Sequence, residues 1–417
     1  MTTAAPLAPA ASGREAARWW VEALMFLTYA AFGLSWVATT PLMPELKDAY
    51  GLTDAQLGLL STSVSIGKVV APLVTAWLAL RLGVARAIGI GSVMICACAL
   101  TPLTSAFSGF LATRFVFGLG GAMVVTLLAP MVMQWFGQAE RAFVNSINNV
   151  AVNTGITITL FSTVPLAEAV GWRRTLLVYA AVSLALCLLW WMFGTDAPRT
   201  SSKEEAVSGE QAEDDAPAPG YADVWRRRET WLVAVAFAGP LALYLSLNTW
   251  LPRHLVETAG LAKVTASQYT GLFNLVGIPT ALVMGWIVQR AGWRRPFIMG
   301  AGVLMALSSL ALVFGKGPMV WWPAAILLGI SFFTYTGPLF TLPMELPGFS
   351  PRHVTLLMGT VFSFAYTVSS FAPVLVGHLR DLTGSFLPGL GLWCVASLVL
   401  AVAGMLLPET GPGARRA

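Results

Sequence analysis

The chain has 417 residues, 56% of them hydrophobic and 11% charged, with a mean hydropathy of +0.71. A water-soluble domain carries about a quarter of its residues as Asp, Glu, Lys and Arg, so the composition excludes a soluble globular protein and fits one that threads a bilayer repeatedly. The net charge of +5 is dispersed over short loops without a basic patch or an aromatic-flanked stripe, which argues against nucleic acid as a partner.

Hydrocarbon about 30 Å thick takes roughly 20 apolar residues per helix. Twelve such runs are predicted, at 21–40, 57–80, 87–103, 110–132, 144–164, 176–193, 232–251, 269–288, 297–314, 320–341, 354–376 and 387–407. Residues 1–18, rich in Ala, Pro and Ser, form an N-terminal tail. The first run is too long for a signal-peptide core and is expected to stay as a helix. Residues 19–194 then make one six-helix bundle and 231–408 a second, with a short tail at 409–417. Between the bundles, 195–230 carries SSKEEAVSGEQAEDDAPAPG and then WRRRE. The acidic part reads as a solvated tether, with partner recruitment as the alternative. Arg226, Arg227 and Arg228 beside Trp225 read as an interfacial anchor for the seventh run. Placing the N-terminus in the cytoplasm puts most of the 25 Lys and Arg on cytoplasmic segments, as the positive-inside rule requires. Both termini and the linker are then cytoplasmic, in a multi-pass protein of a cell membrane of the bacterial inner-membrane type. The four cysteines, Cys96, Cys98, Cys187 and Cys394, all fall inside predicted helices and imply neither metal nor disulfide. No cofactor is expected, and a monomer in the lipid bilayer is.

The two halves repeat each other. RLGVAR from Arg81 returns as RAGWRR from Arg290, so that Arg81, Gly83 and Gly91 match Arg290, Gly292 and Gly300 at one constant offset. GLTDAQLGLL from Gly51 is echoed by GLAKVTASQYTGLF from Gly260, with Gln56 and Gln268 in comparable places, and PLAEAVGW from Pro165 by HLRDLTGS from His378. Duplicated bundles facing each other are the usual build of a secondary transporter.

These loops resemble those of the major facilitator superfamily, whose signature runs roughly G-x-L-x-D-R-x-G-R-R. GWIVQRAGWRR from Gly285 keeps the glycines and basic residues with Gln289 at the Asp position, and AWLALRLGVAR from Ala76 keeps Arg81, Gly83 and Arg86 with Leu80 there. The departure weakens the charge relay that the family places between loop and helix ends. RFVFGLGG from Arg114 is similar to the R-x-x-x-G-x-G pattern of the family's fourth helix, and the fifth run lacks the Gly-Pro motif of drug/proton antiporters. NTWLPRHLVETAG from Asn248 and FAPVLVGHLRDLTGSF from Phe371 resemble stretches of the cyanate and nitroimidazole permease group, although the first run lacks that group's Asn-Leu-Arg segment. The resemblance implies an all-α membrane protein of twelve transmembrane helices, two six-helix bundles related by a pseudo-two-fold axis.

An ionisable group at mid-span costs on the order of 2.5–3.5 kcal/mol even on the lenient insertion scale, which makes it a functional candidate. Lys68 lies in the middle of the second run, on a polar stripe with Ser61, Ser65, Pro72 and Thr75 at steps of three and four. The stripe is expected to face a central cavity, with Ser65 in a coupling or structural part. Arg114, a fixed charge, is assigned a coupling or structural role. The 20 Asp and Glu fall in termini, loops or span ends, Glu22 coming nearest to a helix interior, so no mid-membrane carboxylate relay is predicted. Asn145, Asn149, Asn153 and Thr157 recur every four residues along the fifth run beside Asn148, and Ser363, Tyr366 and Ser370 along the eleventh. Solute contacts are therefore placed at Lys68, Asn149, Asn153, Tyr244, Asn248, Tyr335 and Tyr366, with Trp36 closing over them or anchoring the interface. Arg81, Gly83, Arg86, Arg290, Gly292, Arg294 and Arg295 are expected to close the cytoplasmic side by bonding helix C-terminal carbonyls. No HExxH, GxSxG or Cys-His pair is present, and His254, His353 and His378 sit at span ends, so enzymatic chemistry is not expected. The expected function is secondary transport by alternating access of a small polar, anionic solute, driven by its own gradient, exchange or proton symport through Lys68. An exporter of drugs or hydrophobic compounds and a non-transporting receptor or scaffold remain as alternatives.

Overall fold

A computed structural model describes residues 10–197, 220–346, 348–349 and 351–411, so most of the acidic tether and both extreme tails lie outside the described residues. Twelve long helical segments follow the predicted runs. The first half contains α1 (Ala10–Trp36), α2 (Asp54–Leu82), α3 (Val84–Leu103), α4 (Phe107–Trp135), α5 (Gln138–Val170) and α6 (Trp172–Phe193). The second contains α7 (Arg228–Ala259), α8 (Lys263–Ala291), α9 (Arg295–Phe314), α10 (Pro318–Glu345), α11 (His353–Thr383) and α12 (Leu387–Leu406). Among the described residues ten of these are long and apolar enough to cross a membrane, and α2 makes an eleventh when its two limbs, Asp54–Ala71 and Val74–Leu82, bent 54° apart, count as one span. α1, with Arg14, Glu15, Arg18 and Glu22 in it, is a helix of 27 residues at the place of the first predicted run but falls short of the others in hydropathy.

Several boundaries differ from the sequence reading. α1 begins at Ala10, inside the stretch expected to be tail, and α7 continues to Ala259, well past residue 251. His378–Thr383, read as loop from the repeat, are helical because α11 restarts after Phe371 with Pro373 in its first turn, where a missing N–H costs nothing. α10 is likewise interrupted at Tyr335. α3 tightens into 3-10 turns from Cys96 onward.

Each half has its own apolar core. Phe32, Phe117, Val124 and Leu127 are buried in the first, and Trp250, Phe273, Leu328 and Leu390 in the second. Large apolar side chains such as Trp191, Phe193, Leu307, Met319 and Val402 are exposed around the outside, as a lipid-facing surface requires. The halves meet mainly where α2 packs on α11 and α5 on α8. These two seams frame the space between the bundles and position what lies there.

Candidate functional site

α2 carries Lys68 into the seam between the halves. Its side chain is buried, 9% exposed, and the ammonium rests 3.6 Å from the centroid of the Trp36 ring and 5.4 Å from those of Phe32 and Tyr366. Phe32 and Trp36 come from α1 and Tyr366 from α11, so the cation is walled by aromatics of both halves. Among the described residues Lys68 forms no ion pair. A desolvated cation–π contact is worth about 2 kcal/mol, well short of the hydration that an ammonium loses on burial. The arrangement leaves a positive charge unmatched at the middle of the molecule.

Beside it, α5, α7 and α8 contribute one amide and phenol network. The Tyr244 hydroxyl lies 2.9 Å from Asn153 Oδ1 and 2.7 Å from Asn274 Oδ1, and the Asn274 amide donates to Asn248 Oδ1 at 3.0 Å and to the Thr270 carbonyl at 3.0 Å. A phenol has one proton, so Tyr244 donates to Asn274 and Asn153 turns its NH2 toward the phenol oxygen. Three of the predicted contacts, Asn153, Tyr244 and Asn248, are thus brought together. Asn274 was missed, although an Asn buried in the apolar run GLFNLVG is itself a signal. Tyr366 packs at ring distances of 6.4 Å from Phe237 and 6.5 Å from Phe362. Tyr29 and Tyr335 are buried.

Other predicted residues lie elsewhere. Asn149 is exposed, one turn from Asn153 toward the end of the molecule that carries the termini, and does not join the network. Ser65 is buried but its hydroxyl is spent on the Ser61 carbonyl of its own helix at 3.0 Å. Arg114 is almost fully buried inside the first half. Its guanidinium donates to the last carbonyls of α1, Ser35 at 2.9 Å and Trp36, and so pins the helix end that holds the Trp36 ring under Lys68. Glu22, nearest to a helix interior in the sequence, is in fact buried well inside α1, because that helix starts far earlier than expected.

The space is sealed at the end away from the termini. Asp54, at the start of α2, pairs with Lys47 at 2.8 Å and across the seam with Arg253 of α7. Asp381 on α11 accepts from the Asp54 and Ala55 N–H groups at 3.0 and 2.8 Å, a carboxylate on the positive end of α2. Lys263 reaches Glu45 at 2.7 Å, Ser61 meets Thr249 at 2.8 Å, and Thr62 donates to the Ser370 carbonyl. The polar bonds joining the halves cluster at this end and at the centre. Asp54→Asn is expected to loosen the seal, shifting the population toward opening there by roughly tenfold, or about 1.4 kcal/mol. The measurement is the thiol-labelling rate of Ser61→Cys in a background without the four native cysteines.

The basic loops sit at the opposite end. Arg81 lies 4.4 Å over Trp77 and Arg290 4.0 Å over Trp286, each on its own helix. Gly83 and Gly292 take positive φ at the C-caps of α2 and α8, and Arg86 is exposed. Arg295 donates to the Gly404 and Met405 carbonyls of α12 at 3.1 and 2.8 Å, as expected for a helix C-terminus, while Arg294 pairs with Glu345 at 2.8 Å. These bonds stay within one half. The acids missing at Leu80 and Gln289 are replaced from further along the chain. Asp196 accepts from Ala85 N–H at 3.0 Å, and Glu409 from Arg294 and Arg295 N–H at 2.8 and 2.9 Å, so each half caps the start of its third helix with the residue following its sixth.

Two helical bundles that meet along a polar seam, bonded to each other at one end, have the build of a membrane carrier for small solutes. The model of the Major Facilitator Superfamily matches residues 25–373, and the chain belongs to that family. A probable sulfoacetate transporter of Cupriavidus necator is 28% identical over 359 residues, covering 82% of this chain and 83% of its own length. The 2-nitroimidazole transporter of Escherichia coli is 24% identical over 392 residues, covering 89% and 91%. The crystal structure of a bacterial homologue of the human lysosomal transporter Spinster, inward-facing and unoccupied, superposes with a TM-score of 0.74 at 14% identity, over 94% of this chain and 96% of that one. The protein is a multi-pass membrane transporter of small solutes and not an enzyme.

Proposed function

We propose that the solute is a small anion, held between the halves by Lys68 and the Asn153, Tyr244, Asn274 and Asn248 network, and moved by alternating access. The observation that carries this reading is the buried Lys68 ammonium, which faces aromatic rings and lacks a carboxylate partner among the described residues. An anion supplies the missing charge, and it gains most where water is excluded. The single fixed cation fits a monoanion of small size with hydrogen-bonding groups for the amides. Arg114 acts through Trp36 rather than on the solute. With the termini in the cytoplasm of a cell membrane, the sealed end faces outward, and rocking of the halves exchanges that seal for one near the basic loops. A sulfoacetate transporter among the relatives supports an anionic cargo.

The test is counterflow in proteoliposomes of the full chain, with a panel of small carboxylates and sulfonates and their amide or alcohol analogues. Exchange of at least one anion, competed by other anions and not by its neutral analogue, is expected. Equal exchange of the neutral analogue contradicts the reading.

A further inference from the structure

Glu22 of α1 is 4% exposed, and both of its carboxyl oxygens are buried without a hydrogen-bond partner. The polar side chain that faces it is Asn148 of α5, 2% exposed, whose amide oxygen and nitrogen are equally without partners. Among the described residues no positive charge is paired with the carboxyl. Arg18, one turn earlier on α1, is bound to Glu15 at 3.1 Å and Glu140 at 2.9 Å. Arg141, at the start of α5, is spent on the carbonyls of Phe136 and Met133, each at 3.0 Å. On the other two helices packed on α1, the charged and titratable groups are Arg114 of α4, bonded to the Ser35 and Trp36 carbonyls at the far end of α1, and Arg173, Arg174, Tyr179 and Cys187 of α6, none of them bonded to Glu22. Lys68 is remote: its wall begins at Phe32, ten residues after Glu22 and about 15 Å further along α1 at 1.5 Å per residue.

An ionised carboxylate in such a place lacks both counter-charge and donors and is costly. A protonated carboxyl is complementary to a primary amide: its O–H donates to Oδ1 while its C=O accepts from Nδ2, and all of the stranded atoms are satisfied at once. We propose that Glu22 and Asn148 form a proton-carrying site, separate from the solute site and coupled to it through α5. Asn148 and Asn153 lie on that one helix, about 7.5 Å apart along its axis, and Asn153 is bonded across the seam to Tyr244. Rocking of the second half therefore pulls on α5 and shifts Asn148 against Glu22. Asn149, the neighbour of Asn148, is exposed, and in this proposal water meets the pair on this side of α5. When the amide withdraws, the proton leaves Glu22 for this water and the carboxylate is hydrated. One proton carried with one monoanion makes the cycle electroneutral.

This inference rests on the anion reading, and the experiment separates the two. The full chain in proteoliposomes is given an anion found by counterflow and a gradient of one pH unit, acidic outside, which supports about tenfold accumulation at one proton per solute. Wild type is expected to accumulate the anion and to acidify the lumen. Glu22→Gln, which keeps the shape and the amide contact, is expected to retain counterflow within about twofold and to lose both accumulation and acidification. Glu22→Asp, which shortens the reach to Asn148, is expected to keep coupling with a displaced pH profile. Accumulation by Glu22→Gln equal to wild type, an unchanged profile in Glu22→Asp, or a wild type that moves no protons overturns the proposal. Loss of counterflow in a folded Glu22→Gln also overturns it, by placing Glu22 in solute translocation. Absence of counterflow by wild type with every anion overturns instead the reading on which it rests.

Discussion

Lys68→Ala is expected to weaken solute binding by about 10- to 150-fold, the equivalent of one charge-assisted hydrogen bond of roughly 1.5–3 kcal/mol. The same substitution is expected to raise the thermal unfolding temperature. The native structure holds this ammonium against the Trp36 ring with no carboxylate among the described residues, so the empty protein carries a charge burial that the mutant does not. A lysine kept for structure would show the reverse, lower stability with affinity unchanged. Lys68→Arg retains the charge but brings a planar fork into a space shaped by Phe32, Trp36 and Tyr366. It is expected to bind the anion more tightly than Lys68→Ala and more weakly than wild type. The readouts are the half-saturation of counterflow and the melting temperature in detergent, measured on the same preparations.

Gly377→Val is expected to slow transport by about 5- to 150-fold while sparing solute binding, because it disfavours closure of the sealed end. A side chain at Gly377 of α11 would drive into the Asp54 carbonyl of α2, and one at Gly58 of α2 would stand 2.7 Å from the Pro373 carbonyl and from Val374 Cα. The obstructing atoms are backbone in both directions, so no rotamer change relieves the clash. Overpacking of this kind costs about 1–3 kcal/mol, and here the closed arrangement alone bears it, which moves the balance between states by about 5- to 150-fold. Thiol labelling at Thr249→Cys, one turn inward of Arg253 on α7 and bonded to Ser61 at the inner edge of the seal, is expected to quicken accordingly from the end away from the termini. Gly359→Ala, whose added carbon meets open space, serves as the control and is expected to transport normally.

Much of this architecture is legible in the sequence, since apolar runs of span length and the repeated loops report membrane crossing and duplication directly. Polar residues inside such runs stand out for the same reason, and so Lys68, Asn153, Tyr244 and Asn248 are legible as candidates without coordinates. What they touch is less legible. Asn148 and Asn149 are adjacent and point about 100° apart on a helix, and nothing local says which is turned inward; the structure buries Asn148 and exposes Asn149. The depth of Glu22 depends on where α1 begins, and the Ala, Pro and Ser-rich tail offers competing capping residues, Thr2, Thr3 and Ser12, with no single start marked. The seal is hidden for another reason. Asp54, Arg253 and Asp381 come from three distant places, and each alone reads as an ordinary loop charge. The missing loop acids mislead in the same way, because Asp196 and Glu409 do the capping from positions that look like linker and tail.

The central claim, that the ammonium between the halves is the anion's anchor, is tested most directly by a structure of the protein with a transported anion bound. The anion is expected between α2, α5, α7 and α11, with Lys68 Nζ lifted from the Trp36 ring and about 2.7–2.9 Å from an anion oxygen. An anion seated elsewhere, with the ammonium still on the indole, contradicts the account.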